Sequence, residues 1–138
     1  MVRINLINPE KLADQHLIAE YNEILMLLGY VKKFPLAKDI PQEYILGPGH
    51  IKFFKNKLFY LKKRHELLKK EMLKRSFVPT KTIDLREFNK ELHNDFVPSE
   101  KDFEIIKARI KEKILMKSEF YKYYKKNKDE EFFLKLLE

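Results

Sequence analysis

The chain has 138 residues, of which 44% are hydrophobic and 36% charged, and its formal net charge is +8. This length suits one domain with one core. The absence of cysteine excludes disulfides, thiolate nucleophiles and cysteine-ligated metal sites. No apolar run approaches the roughly 18–20 residues that cross a bilayer, so we expect a soluble protein of the cytoplasm. The positive charge favours polyanionic partners, although a merely basic protein would have the same composition.

Helical periodicity and the small number of glycines, three in all, predict an all-α fold with one compact domain of three main helices and long loops. The proline- and glycine-containing stretch 32–49 predicts a connection with little regular structure. His65 interrupts an apolar row, which indicates a hydrogen-bonded core or boundary histidine rather than a ligand. The first predicted helix runs from about Pro9 to near Gly29 or a few residues on, and the second from about His50 to Arg75, with a short helix over about 85–92. The third begins after Ser99, which is a candidate N-cap with Asp102 three residues later.

His16, Glu20 and Glu23 recur at helical spacing and are predicted to share one face of the first helix. A charged face of this kind is most often a solvated surface. The four histidines show no metal-motif spacing, so we expect no metal site and no cofactor.

The C-terminal third is rich in cations. Arg109, Lys113 and Lys117 stand four residues apart, about 6 Å along a helix, which matches successive phosphates, although lysine rows are common on exposed helices. The segment from Phe120 to Tyr124 then interleaves aromatic rings with Lys122. Rings and cations suit a nucleic-acid groove. Two of its three tyrosines are expected to pack back on the helices with their hydroxyls in water.

Several stretches resemble one known family. Arg3-Ile4-Asn5-Leu6, the run from Leu12 to Leu17, and Ala19-Glu20-Tyr21 with Glu23 resemble the opening of the phage-type pyrimidine-dimer DNA glycosylases with apurinic-lyase activity, the endonuclease V family. Further similar stretches are Tyr44 to His50, Phe53-Phe54, Leu61 to Arg64, Leu73 to Arg75, Ala108-Arg109, Glu112 to Ile114 and Phe120 to Tyr124. The chain 1–138 then forms a single domain, and residues 129–138 are a C-terminal extension outside the resemblance.

The resemblance implies a DNA-repair N-glycosylase with AP lyase activity on pyrimidine dimers in duplex DNA. It also implies an N-terminal segment packed between the helices, a monomer, and no membrane partner. The catalytic groups would be the α-amine of Val2, freed by removal of Met1, and the carboxylate of Glu23. An α-amine has a pKa of about 7.7–8.0 against about 10.4 for lysine, so far more of it is free base at neutral pH. The residues expected to contact DNA are Arg3, Gln15, His16, Asn22, Arg109, Lys113, Lys117, Phe120, Tyr121, Lys122 and Tyr124.

Two positions depart from the family. Asn22 and Met26 stand where the phage enzymes carry arginines, which predicts weaker, less salt-dependent DNA binding and leaves the preferred lesion open. Retention of Met1 would move the amine one residue out of place. The alternative function is a non-catalytic helical module that binds distorted DNA and needs neither a free amine nor Glu23.

Overall fold

The computed structural model describes residues 3–36 and 38–138, so the predicted nucleophile Val2 lies outside the described residues. The all-α prediction is confirmed. Within the described residues, no helix combines the length and apolarity needed to cross a membrane. The helices are α1 (Asp14–Lys33), α2 (His50–Phe54), α3 (Leu58–Lys74), α4 (Glu100–Met116) and α5 (Glu130–Leu136).

The first helix begins later than predicted. Pro9–Lys11 forms a separate 3₁₀ turn, capped by the side chain of Asn8, and α1 starts only at Asp14. The intervening Leu12 has extended backbone angles and is fully buried. The helix predicted to start near Pro9 is therefore interrupted at Leu12, where the extended backbone buries the side chain. The C-terminal end of α1 lies where it was predicted, a few residues past Gly29.

The predicted second helix is broken into α2 and α3. At the break, Lys57 has non-helical backbone angles and forms an isolated antiparallel bridge with His93. Its ammonium donates a hydrogen bond to the carbonyl of Phe53 at 2.8 Å. The bridge joins the break to a residue 36 positions away, and the Lys57 ammonium satisfies the Phe53 carbonyl that a continuous helix would bond through the Lys57 N–H. The short helix predicted over 85–92 is likewise two 3₁₀ turns, Leu85–Glu87 and Lys90–Leu92.

His65 is a core residue of α3, as predicted, but it is not hydrogen-bonded. Its ring is fully buried and stacks on Tyr21 with the centroids 4.7 Å apart. Neither ring nitrogen has a partner among the described residues. Stacking thus takes the place of the expected hydrogen bond.

The start of α4 is confirmed in detail. The Ser99 hydroxyl accepts a hydrogen bond from the Asp102 N–H, and the Asp102 carboxylate accepts one from the Ser99 N–H. This reciprocal capping box satisfies two backbone donors that a helix start leaves free. Ile106, Ile110 and Ile114 form the buried stripe, and Phe103 is only partly buried.

A small hairpin follows α4 and was not predicted. Strand β1 (Lys122–Tyr123) pairs antiparallel with β2 (Lys126–Asn127). Its two turn residues, Tyr124 and Lys125, have φ values of 53° and 66°, a region usually left to Gly or Asn. The Asp14 carboxylate accepts hydrogen bonds from both of their N–H groups, at 3.1 and 2.7 Å. This long-range contact offsets the backbone strain.

The C-terminal extension contributes to the core. Helix α5 is capped by Asp129, and Phe133 and Leu137 are 1% and 2% exposed. Phe133 lies edge-on to Tyr121 with ring centroids 6.3 Å apart. The extension therefore packs against the buried side of the aromatic segment, Phe120 to Tyr124.

The N-terminal segment lies between α1 and α3, as predicted, and a buried ion pair holds it there. Arg64 of α3 forms two hydrogen bonds with Glu20 of α1, at 2.7 and 3.0 Å. The same guanidinium donates to the carbonyls of Leu6 and Ile7, at 3.1 and 2.5 Å. Glu20 is fully buried, so the predicted charged face of α1 is not one solvated surface.

A second buried arginine joins the far ends of the same helices. Arg75 bonds to Glu71 at 2.8 Å and to Asp14 at 3.0 Å. It also donates to the carbonyls of Leu12 and Pro9, at 2.7 and 3.1 Å. Both buried arginines are thus paired and hydrogen-bonded, which is the condition for tolerating a buried charge.

We expect Glu20→Gln to destabilise the fold by about 3–5 kcal/mol, because it leaves Arg64 charged and buried without a counterion. Urea unfolding measures the change. Glu87→Gln is the matched control, since Glu87 pairs with Lys32 at the surface and should change stability by about 0–1 kcal/mol. Equal effects of the two substitutions would contradict this account.

Candidate active site

The described N-terminal residues are held by three side chains. The backbone N–H of Arg3 donates to Glu23 Oε2 at 2.9 Å, and that of Ile4 donates to His50 Nε2 at 2.8 Å. The Tyr44 hydroxyl donates to the Ile4 carbonyl at 2.9 Å. The beginning of the described chain is therefore fixed against α1 and the start of α2.

His50 acts as a neutral acceptor in this arrangement. Its Nδ1 lies 2.8 Å from the Ile45 carbonyl, so Nδ1 carries the proton and Nε2 is free to accept from Ile4. Burial lowers the pKa of His50, against the raising effect of the Ile45 carbonyl. The neutral form that the hydrogen bonds need is thus also the favoured one.

The Gly47–Gly49 turn places His50. Gly47 has φ +79°, and a Cβ on Gly49 would lie 2.2 Å from the Ile45 side chain. Gly47 therefore favours glycine for its backbone angle, whereas a side chain at Gly49 would require the exposed end of the Ile45 side chain to move. Sequence reasoning noted this turn but not His50, whose role depends on a partner 46 residues away.

Glu23 is half-buried, and burial raises the pKa of its carboxyl above the ordinary value. The hydrogen bond from the Arg3 N–H and the charge of Arg3 act in the opposite direction. A carboxyl with a raised pKa can hold and release a proton closer to neutral pH. Glu23 thus combines a fixed position with the chemistry of a proton carrier.

A cleft of about 440 Å³ opens beside Arg3 and contains a second arginine, Arg109. The Arg3 guanidinium pairs with no carboxylate among the described residues, whereas Arg109 bonds to Glu112 at 3.0 Å. Burial, and then the charge of Arg109, lower the pKa of Arg3. The residues that line the cleft include two guanidiniums and one carboxylate, that of Glu112, which is an excess of positive charge suited to a phosphate. The cleft is lined by Arg3, Leu46, Gly47, His50, Ile105, Ala108, Arg109 and Glu112.

His16 adjoins this cluster as a neutral base. Burial lowers its pKa to about 4, with further lowering by the charges of Arg3 and Lys113. Its ring packs on Tyr121 with centroids 4.8 Å apart, and its Nδ1 is buried without a partner among the described residues. His16 can exchange hydrogen bonds with a substrate but does not supply a positive charge at neutral pH.

The Gln15 amide binds the C-terminal aromatic segment. Its Nε2 donates to the Phe120 carbonyl at 2.8 Å, and its Oε1 accepts from the Lys122 N–H at 3.0 Å. The side chains of Phe120 and Lys122 remain exposed. In this structure Gln15 therefore positions two residues that were predicted to contact DNA.

The tyrosines of this segment pack back on the protein more fully than predicted. Tyr121 is buried, and the Tyr123 hydroxyl donates to the Glu10 carbonyl at 2.8 Å. The hydroxyl of the third, Tyr124, donates to Glu71 at 3.0 Å, and its backbone N–H binds Asp14. Asp14 and Glu23 are nine residues apart on α1, about 13 Å along its axis. Tyr124 thus lies at the start of α1, whereas Glu23 lies near the middle of this helix.

The sequence-predicted residues fall into two groups. One surrounds the N-terminal segment, and its members lie close enough to affect one another's ionisation. The pKa of Arg3 is affected by Arg109, Glu23 and Tyr121. The pKa of His16 is affected by Arg3 and Lys113. The second is spread over exposed surface or over the hairpin. The first group is Arg3, His16, Glu23, Arg109, Lys113 and Tyr121, and the second is Gln15, Asn22, Lys117, Phe120, Lys122 and Tyr124.

A half-buried carboxylate beside two cleft arginines suits a phosphate-bearing substrate whose reaction builds up positive charge. A comparison with known protein families agrees with this class of site: residues 1–85 match the family described as pyrimidine dimer DNA glycosylase. Because the match spans more than half of the chain, the protein belongs to the pyrimidine dimer DNA glycosylase family. The matched region contains α1, α2 and α3. The resemblance is thereby confirmed, and the protein is a DNA-repair glycosylase that binds damaged DNA.

We expect stability to fall as the pH decreases from 6.5 toward 4. His16 has a pKa of about 4 in the folded chain against an ordinary 6.5, so in this range the unfolded chain binds a proton that the folded chain does not. Urea unfolding at pH 7.5 and 5.0 measures the loss. His16→Gln removes this proton and should reduce the loss, leaving the part due to His50 and His65, whose pKa values burial also lowers. An unchanged loss in the variant would contradict this assignment.

Proposed function

We propose that the protein is a pyrimidine-dimer DNA N-glycosylase with AP lyase activity, and that its nucleophile is the α-amine of residue 2 after removal of Met1. The amine lone pair forms a bond to the sugar C1′ as the bond from C1′ to the damaged base breaks. Ring opening gives a Schiff base. Loss of a C2′ proton then expels the 3′ phosphate by β-elimination. The observation that carries this proposal is the 2.9 Å hydrogen bond from the Arg3 N–H to Glu23.

That hydrogen bond limits how far the amine can lie from the carboxylate. Consecutive Cα atoms are about 3.8 Å apart, so residue 2 begins one peptide unit from a group already bound to Glu23. The contacts of Ile4 with His50 and Tyr44 restrict the chain further. A nucleophile tethered to a chain segment held in this way would react as though it were highly concentrated. Arg3, as a neighbouring cation, also disfavours protonation of the amine.

Glu23 would serve two steps of this reaction. Departure of the base builds positive charge on the sugar, which a carboxylate held nearby stabilises. During imine formation and elimination the same group can accept and return protons, typically a contribution of 10²- to 10⁴-fold to the rate. Its raised pKa favours this second use.

The proposed DNA surface surrounds the cleft. Arg3 and Arg109 lie in the cleft, and Lys113 lies near enough to His16 to lower its pKa. Asn22, Lys117, Phe120 and Lys122 are exposed and would extend this surface. Phosphate contacts from the cations would offset the few kcal/mol needed to unstack a nucleotide. Gln15, Tyr121 and Tyr124 would support this surface from within. We take residues 1–138 as one domain, because the buried hydrophobic cluster runs from Ile4 to Leu137, and we keep the monomer that the family resemblance implies.

The alternative, a module that only binds distorted DNA, accounts less well for Glu23. A carboxylate beside Arg3 weakens the attraction of that surface for phosphates. A binding surface would gain affinity by replacing it with a neutral residue. A neutral acceptor such as glutamine would also accept the hydrogen bond from the Arg3 N–H, so the negative charge itself favours a chemical role.

We expect Glu23→Gln to bind dimer-containing duplex almost normally and to cut it at least about 100-fold more slowly, because the amide cannot exchange protons as a carboxyl does. Binding is measured by fluorescence anisotropy and incision on a labelled duplex. Glu87→Gln, a surface carboxylate, is the control and should cut normally. Equal incision by Glu23→Gln would remove this residue from the mechanism.

Borohydride trapping tests the nucleophile. The protein with a free residue-2 amine should become covalently attached to dimer-containing and abasic duplexes when the imine is reduced. A preparation acetylated at its N-terminus should bind the same duplexes without being trapped. Trapping of the acetylated protein would move the nucleophile to a lysine, and failure to trap either preparation would favour the binding module.

A further inference from the structure

The outward face of α1 differs from the rest of this charged surface. Charged residues make up 36% of the chain, yet the exposed positions of α1 before its last turn are all uncharged. The largest exposed side chain among them is Met26, which is 64% exposed. These positions are Ala19, Asn22, Met26 and Gly29.

Met26 stands beside the proposed reaction centre. It follows Glu23 by three residues, and on a helix such residues are neighbours with Cβ atoms about 5–6 Å apart. Glu23 in turn binds the Arg3 N–H. Ile24 and Leu27, which flank this turn of the helix, are fully buried and fix the orientation of α1. The exposed thioether therefore lies near the carboxylate that the proposed reaction uses.

An uncharged face cannot neutralise phosphates, so its partner on DNA must be of another kind. The apolar surfaces of DNA are the faces of its bases, which become accessible where stacking is disturbed. Apolar side chains inserted at such steps stabilise the unstacked form. Methionine suits this role, because its flexible and polarizable side chain adapts to faces of different shape. Phosphate binding is left to cations outside this face, such as Arg3 and Arg109.

We propose that Met26 packs against the face of an unstacked base at the lesion and so determines how well the protein distinguishes damaged from undamaged duplex. This inference rests on the proposed function, since it takes Glu23 as the place where the damaged nucleotide reacts. The outward face of α1 then recognises the lesion by apolar contact. The cleft arginines supply affinity that does not depend on the lesion.

The test measures dissociation constants for dimer-containing and undamaged duplexes of the same sequence at several salt concentrations. Met26→Ala should weaken binding to the damaged duplex by about fivefold to tenfold, the effect expected for losing most of one apolar contact. Binding to undamaged duplex and the salt slope should stay unchanged. Met26→Leu keeps the apolar volume and should restore most of the discrimination.

Met26→Arg should act differently. It adds a phosphate-binding cation and should steepen the salt slope by about 0.9. Undamaged DNA should gain most, so discrimination falls. Leu73→Ala is the matched control, because Leu73 is 60% exposed on α3, and it should change neither quantity.

The outcomes separate this inference from the proposed function. The first outcome is that the unmodified protein is trapped by borohydride, and that Met26→Ala distinguishes damaged from undamaged duplex as well as the unmodified protein does. The proposed base contact is then wrong and the proposed chemistry stands. If Met26→Ala weakens binding to both duplexes equally, Met26 contributes to general affinity and the inference fails. If the unmodified protein neither cuts nor is trapped while Met26→Ala still loses discrimination, the contact stands and the chemistry fails.

Discussion

The buried contact between Arg64 and Glu20 is the constraint on which the rest of the structure depends. An unpaired charge in this interior would be strongly unfavourable, and the pairing with two well-aligned hydrogen bonds removes most of that penalty. The remaining donors of Arg64 bind the carbonyls of Leu6 and Ile7. The pair therefore fixes α1, α3 and the N-terminal segment together. The contacts of Arg3 and Ile4 with Glu23 and His50 follow from that placement.

Helix α1 connects the two ends of the functional surface. Near its middle, Glu23 binds the N-terminal segment, and at its start Asp14 and Gln15 bind the hairpin and the segment leading into it. About 13 Å of rigid helix separates these contacts. The chemistry near Glu23 and the hairpin turn that binds Asp14 are thereby set at a fixed spacing. Because Asp14 is also paired with Arg75, the spacing is tied to the buried core.

Local patterns in the sequence predicted the local features of the fold. Periodicity located the main helices, and the Ser99–Asp102 spacing predicted the cap that the structure contains. Glu23 was singled out through the family resemblance, since a carboxylate on a helix is ordinary by itself. The missed features all depend on distant partners: the burial of Glu20 on Arg64, the bond from Ile4 to His50, and the hairpin. A turn through Tyr124 and Lys125 carries no glycine or asparagine signal, because Asp14 supplies the stabilisation from 110 residues away.

That turn has a consequence for the thermodynamics of DNA binding. The hairpin cannot unfold without freeing the Asp14 carboxylate, which is also a partner of the fully buried Arg75. The loop that carries Lys122 and Lys125 is thus ordered when the chain folds, and its conformational entropy is lost before any DNA arrives. Preorganisation of this kind leaves more of the interaction energy available as affinity. Binding should then show little of the entropy penalty typical of basic segments that become ordered only on nucleic acid.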